Sequence, residues 1–414
     1  MRVIYKLSIV IALVCLMVLL LPLPVARADQ VVAFPDANLQ SKIREAIAKP
    51  TGDIYQSDLA GLTRLDANFA NIANLNGLEF CINLTYLSLA YNEISDISPL
   101  SNLVNLSYLN LHVNEVSDLS PLSKLTNLTQ LSLAQNKISD ISVLSSLTKL
   151  TALYISENQI SDLSPLSNLT GLTILQMQNN SISSLSPLSN LTNLTTLYFW
   201  RNQVSDLSPL SHLTKLTDLQ IGYNQINDLS PLSHLTGLTD LQMGGNKISN
   251  ISPLSNLTSL TDLRLWSNQI SDISALSKLT KLTFLSLYIN QISDISPLVE
   301  NSGLGQGATV DLVGNPLDSQ SVDVYIPQLQ QRGVNVGWVS HPVPQTPTPT
   351  PTPTPKPTPL TTPPEVTPPP IALPAPTPAP GEEKTPFNTW VIIGPILGVL
   401  AAGGAAYYAF RRRK

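Results

Sequence analysis

Cysteine is nearly missing from this chain, with two in 414 residues. Cys15 lies in an apolar N-terminal run, without the preceding small residues that lipid modification expects. Only Cys81 remains beyond that run, which excludes an intramolecular disulfide and a cysteine-built metal centre there. Cys81 takes a position that leucine fills 22 residues later, at Leu103, so it reads as a small buried hydrophobe and not a reactive thiol. Lys and Arg total 23 against 28 Asp and Glu, and they are thin through the middle of the chain. No basic groove for a phosphate backbone exists, so nucleic acid is excluded as a partner. The four histidines, His112, His212, His234 and His341, form no metal set; His212 and His234 simply replace Asn168 and Asn190 at equivalent places. With no catalytic triad, phosphate loop or isolated acid pair, we expect no enzyme activity, no cofactor, no metal and no small-molecule substrate.

What the chain has is a period. Asn92, Asn114, Asn136, Asn158, Asn180, Asn202, Asn224, Asn246, Asn268 and Asn290 recur every 22 residues, each within the frame LxxLxLxxNxIxDIxPLxxLxx or a close variant. That period is too short for a two-helix repeat and matches a leucine-rich solenoid, whose coils stack only on their neighbours. In residues 84–105, Leu87 and Leu89 alternate with Tyr86, Ser88 and Ala90, which predicts a short strand with its leucines inward. Asn92 then turns the chain, its amide satisfying backbone groups that the turn leaves unpaired, and stacked copies form a structural ladder. Ser98 and Pro99 suit a 3₁₀ return on the other side. The repeated Asp96, Asp118, Asp140 and Asp162 stand beside serines without calcium-ligand spacing, and are assigned to turn stabilisation. The expected fold class is thus an α/β leucine-rich repeat solenoid: a curved parallel sheet on the concave face, a 3₁₀ or irregular convex side, and helical caps. Ten regular coils at strand spacing span about 50 Å.

The flanks divide into segments. Residues 1–28 read as a signal peptide, with Arg2 and Lys6 before an apolar run and Ala26-Arg27-Ala28 as cleavage site. Residues 29–61 are a helical cap in which Asp36 caps a helix carrying Leu39, Ile43 and Ile47. Repeats occupy 62–316, beginning with a degenerate coil where Ala70 replaces the asparagine. From Asn290 to Asn315 the spacing lengthens to 25. Residues 317–340 form a C-terminal cap, helical over 317–332 and ending in a strand of alternating Val334, Val336 and Trp338. Residues 341–386 are a Pro/Thr-rich stalk in polyproline II conformation, able to reach about 140 Å. Residues 390–410 form a 21-residue apolar span followed by the basic tail 411–414. The expected placement is a single-pass cell-membrane protein with extracellular repeats and a cytoplasmic C-terminus.

At FPDANLQSKIREAI, followed by repeats such as NQISDLSPLSNLTGLTIL, the chain resembles the internalin-type leucine-rich repeat proteins of bacteria over roughly residues 32–317. That resemblance implies a surface or secreted adhesion protein whose concave face binds an extracellular protein. The immunoglobulin-like region usual after the repeats is not evident, and no LPxTG wall-sorting motif occurs.

Outward strand positions are free of core duty, so recognition residues are sought there. The candidate ligand-binding set is Tyr154, Gln176, Gln178, Tyr198, Trp200, Arg201, Asp218, Gln220, Tyr223, Asp240, Asp262, Arg264, Trp266, Phe284 and Tyr288. Aromatics and arginine concentrate interface energy, and the aspartate row suits basic side chains on a partner. Trp200, Trp266 and Arg264 stand where other coils carry alanine, glycine or serine, so folding is expected not to need them. Two other readings remain: a glycan held by the tryptophans and glutamines, or a structural surface protein with no dedicated ligand. Cross-strand packing of the aromatics among themselves is the plain alternative to a site.

Overall fold

The computed structural model describes residues 29–338. The signal peptide, the stalk, the span and the tail lie outside the described residues, as do the last two residues of the C-terminal cap.

Thirteen three-residue strands form one parallel sheet in strict chain order, from Arg64–Asp66 to Asn335–Gly337. The register is the repeat itself: Leu87 pairs with Leu109, and Leu109 with Leu131, each 22 residues on. Alternation decides the faces. Leu87 and Leu89 are fully buried, while Tyr86 remains partly exposed on the other side of the strand. Each fully buried aliphatic side chain contributes about 1.5–3 kcal/mol, and the inward columns run almost unbroken from one cap to the other. Phe199, in the column of Leu89, is the bulkiest of the fully buried side chains.

Each ladder asparagine joins two coils. Asn180 Nδ2 donates to Ile155 O (3.0 Å) in the preceding coil and to Met177 O (3.1 Å) in its own, while Oδ1 accepts from Ile160 N (2.9 Å). The same pattern holds from Asn92 to Asn290 and continues at Asn315. Where Ala70 breaks the column, Asn92 Oδ1 accepts from both Ala70 N and Ile72 N. A second ladder was not read from the sequence. The hydroxyls of Thr85, Ser107, Thr129 and their equivalents up to Thr283 each donate to the carbonyl 22 residues earlier.

Opposite the sheet, 3₁₀ segments such as Ser98–Leu100 and Ser164–Leu166 make the return. Asp96 Oδ1 accepts from Ser98 N (2.8 Å) and Oδ2 from Ser98 Oγ (3.0 Å), the turn role expected for it. The equivalent bonds from Ser120 and Ser164 lower the carboxyl pKa values of Asp118 and Asp162.

At the N-terminal end, Asp36 Oδ1 caps the helix Ala37–Ala46, and its other oxygen accepts from Ala73 N and Asn74 N in the first coil. One carboxylate thus starts the cap helix and fastens it to the stack. Partial burial opposes ionisation, yet four backbone donors together lower the Asp36 pKa. At the other end the expected 317–332 helix begins at 319 and passes through a π-type turn, Ser321–Tyr325, before the α-helix Ile326–Gln331. The N–H of Ile326 reaches back to Ser321 O, just ahead of Pro327, which has no N–H to give. Asn301, fully buried, donates to Leu276 O and Leu279 O and closes the lengthened coil.

Among the described residues, no helix is long and apolar enough to cross a membrane.

Candidate recognition face

Three outward columns cover the sheet face: the first and last residue of each strand, and the residue two places beyond. In the first column the register sets Asp218 beside Asp240, and Asp240 beside Asp262. In the last column Tyr154, Gln176, Tyr198, Gln220, Gln242 and Arg264 follow one another on successive strands.

The aspartates have different fates. Arg264 clamps Asp262 through Nε and Nη2, both at 2.9 Å, and its guanidinium lies 4.8 Å from the Phe284 ring centroid. The binding candidate Arg264 thus already pairs with Asp262, because residues two apart on a strand share a face. The Tyr198 hydroxyl donates to Asp218 Oδ2. Neither Asp218 nor Asp240 forms an ion pair among the described residues. Asp218 Oδ1 is buried near the Gln220 amide without a hydrogen bond of normal geometry, and Gln178 Oε1 is likewise an acceptor without a donor.

Burial raises the Asp218 pKa, with the neighbouring charge of Asp240 adding to it, and the Tyr198 hydroxyl only partly offsets both. Its folded-state pKa therefore stands above the unfolded value. The charged form opposes folding above the folded-state pKa, and protonation relieves this as pH falls through it. Asp218→Asn is thus expected to raise the melting temperature at pH 7, with the difference shrinking toward zero as the buffer is taken into the carboxylate range. A lower melting temperature at pH 7 contradicts this assignment.

Beside the acidic row lie the large aromatics. Trp200, Gly222, Gly244 and Trp266 follow one another in the outermost column. The missing side chains matter: a Cβ on Gly244 would lie 2.1 Å from the Trp266 ring, so the indole lies over bare backbone. Trp266 also stacks on Tyr288 (5.5 Å, 7°) and meets Tyr223 edge-on (5.1 Å). Trp266 thus takes part in two ring pairs, each worth about 0.5–1.5 kcal/mol. Trp200 makes no such ring pair among the described residues; Arg201 lies over it at 5.4 Å and over Tyr223 at 5.3 Å. Arg201 and Tyr223 both have positive φ, at 56° and 52°, which sets them on the rim where the sheet gives way to the asparagine turn.

The structure therefore brings Trp200, Arg201, Tyr223, Trp266 and Tyr288 into one cluster and Phe284 beside Arg264. Tyr198 sits with the acidic row. Gln176 is in register beside Tyr198, Tyr154 lies one strand further toward the N-terminal cap, and Gln178 follows the strand of Gln176, one coil before Trp200.

Sequence reading missed an N-terminal aromatic group. Tyr86 and Tyr108 stack at 4.3 Å, with the Arg64 guanidinium 3.4 Å above Tyr86. On the rim, Phe69 and Tyr91 stack at 4.3 Å, and Phe69 is 72% exposed. The signal was present in the first strand column, which opens Arg64, Tyr86, Tyr108 at the 22-residue period.

Comparison with known proteins agrees with this architecture. The family model described as Leucine Rich repeats (2 copies) matches residues 82–124, 104–146, 126–168, 148–190, 170–212, 192–234, 214–256 and 258–300. No curated protein matches the sequence. Among solved structures, an internalin (inlF) from Listeria monocytogenes is 41% identical with a TM-score of 0.70, over 74% of this chain and 91% of that one. An internalin C2 (inlC2) from the same organism is 36% identical with a TM-score of 0.50, over 51% and 96%. The Leptospira interrogans leucine-rich repeat protein LIC12759, at 24% identity and a TM-score of 0.57 over 69% and 79%, shares the fold. The chain belongs to the leucine-rich repeat family and, within it, to the internalin type.

Proposed function

We propose that this protein recognises an extracellular protein through the C-terminal half of its sheet face. One observation carries the reading. Arg201 lies over both Trp200 and Tyr223, Trp266 and Tyr223 lie over Gly244 and Gly245, and the same sheet face carries Asp218 and Asp240, which form no ion pair among the described residues. Aromatic area beside unneutralised carboxylates suits a partner that presents a basic side chain next to an apolar one. The clamp between Arg264 and Asp262 holds the edge of the surface in one conformation, which lowers the ordering cost of binding.

The same proposal places the repeats outside the cell. The apolar run 390–410 is long enough to span a bilayer, with Trp390 and the paired tyrosines 407 and 408 at its ends and a basic run after it. The Pro/Thr-rich composition of 341–386 suits a spacer between the repeats and that run.

One experiment tests both parts. A photo-crosslinking residue replaces Tyr198, or Ser208 on the opposite side, in a chain tagged after Lys414 and displayed on intact cells. Irradiation in the presence of extracellular proteins is expected to yield an adduct from position 198 only. Protease added outside then removes the adduct and spares the tag. Adducts from position 208 alone contradict the face, and loss of the tag with retention of the repeats contradicts the topology.

A further inference from the structure

Nearer the N-terminal cap the same sheet face holds a concavity of about 250 Å³, walled by Tyr108, Asn110, His112, Gln130, Ser132 and Tyr154 over Leu131. It exists because small residues fall on two successive strands. Ser132 lies in register between Asn110 and Tyr154, and Ala152 follows Gln130 on the next strand. The larger side chains of the flanking coils therefore stand on either side of a gap.

The walls are held in place. Tyr108 is backed by the ring of Tyr86, stacked 4.3 Å away with 6° between planes. His112 Nδ1 is 3.1 Å from Ala134 O, and Tyr91 meets the imidazole edge-on. Asn110 Oδ1 accepts from His112 N at 3.0 Å, which fixes the amide's orientation. No Asp, Glu, Lys or Arg lines the gap, and burial lowers the His112 pKa, so the site is uncharged at neutral pH. It differs in this from the acidic row further along the sheet.

We propose that this gap is a binding site for one uncharged pyranose ring of a glycan. The phenol rings of Tyr108 and Tyr154 offer flat apolar surface to the C–H face of a sugar. Gln130 brings both a donor and an acceptor, as vicinal hydroxyls require, Ser132 adds a hydroxyl, and Asn110 keeps the second proton and second lone pair of an amide that also bonds Ser88 and His112. The volume falls below the roughly 300–1,000 Å³ of pockets that take drug-sized ligands, which fits a single ring. A peptide strand is less well served. Its N–H and C=O groups need partners, yet the sheet's own are consumed by the ladder, as in Leu111 N to Ser132 O and Leu133 N to Tyr154 O. A charged ligand finds no counter-charge. The site stands or falls independently of the protein partner proposed above.

The test uses the full chain in a detergent without a sugar headgroup. Methyl glycosides of glucose, galactose, mannose and N-acetylglucosamine, with their linear trisaccharides, serve as probes in saturation-transfer NMR. At least one is expected to receive saturation on its ring protons. Gln130 is exposed, so Gln130→Ala leaves packing untouched and is expected to weaken that binding at least tenfold. Ser132→Trp, which fills the gap, is expected to abolish it, and Trp200→Ala to leave it unchanged. A glycoprotein before and after enzymatic deglycosylation, run beside the free trisaccharides, separates a protein-borne glycan from a free polysaccharide. The proposal is overturned if no saccharide binds, if binding persists equally in Gln130→Ala and Ser132→Trp, or if it is lost in Trp200→Ala. It is also overturned if an uncharged peptide library occupies the gap and no saccharide does.

Discussion

Asn180→Ala is expected to lower the unfolding free energy by about 2–3 kcal/mol, the cost of leaving buried backbone groups without partners. The substitution removes the donor to Ile155 O and Met177 O and the acceptor of Ile160 N, so groups in two coils are orphaned together. Water reaches the half-buried turn only in part, which keeps the figure below the sum for three fully buried groups. Because a solenoid's stability is largely a sum of neighbour interfaces, a fault in a middle coil weakens the contact between the two halves. Gln178→Ala is the control. Its side chain faces outward two residues earlier and its Oε1 has no donor, so the change is expected to stay within about 0.5 kcal/mol. Denaturant titration of both variants decides the matter, and equal losses contradict the assignment of inward and outward columns.

Why that prediction was legible and others were not follows from what a period records. A 22-residue repeat fixes which columns point inward, because strand alternation and stacking act identically in every coil. The asparagines, the buried leucines and the Asp–Ser turns all followed from it. The hydroxyl ladder from Thr85 to Thr283 has the same period, but it falls on an unspecified position of the frame, and a serine or threonine there does not by itself signal a bond to the preceding coil. Departures from the frame were harder. Asn301 lies in the lengthened coil, where no neighbouring repeat supplies a comparison, and the π-type turn depends on Pro327 inside a cap that occurs once.

On the sheet face, columns give neighbours but not rotamers. The aspartate row was evident from sequence, but the bidentate closure of Arg264 onto Asp262 depends on the side chain folding back along its own strand. Likewise Trp266 and Gly244 stand 22 residues apart, but that the indole lies over the glycine becomes visible only in three dimensions. These contacts divide the proposed anchors into those that also serve the fold and those that do not. Trp266 serves both ends; Trp200, held by Arg201 alone among the ring and cation contacts, is the cleaner probe.

Trp200→Ala is therefore expected to weaken partner binding by about 2 kcal/mol or more, roughly thirtyfold in Kd, as central aromatic anchors do. Its melting curve is expected to shift little. Trp266→Ala is expected to lose both affinity and stability, since Tyr288 and Tyr223 lose their packing partner. The most direct measurement is the Kd of the partner recovered by crosslinking from position 198, taken for the Trp200→Ala/Tyr223→Ala pair and for Asp206→Ala/Asp228→Ala on the turn side. The account predicts a loss of at least thirtyfold for the first pair and unchanged affinity for the second. Unchanged affinity in a folded Trp200→Ala/Tyr223→Ala protein, or a loss confined to the turn-side pair, contradicts recognition through the sheet face.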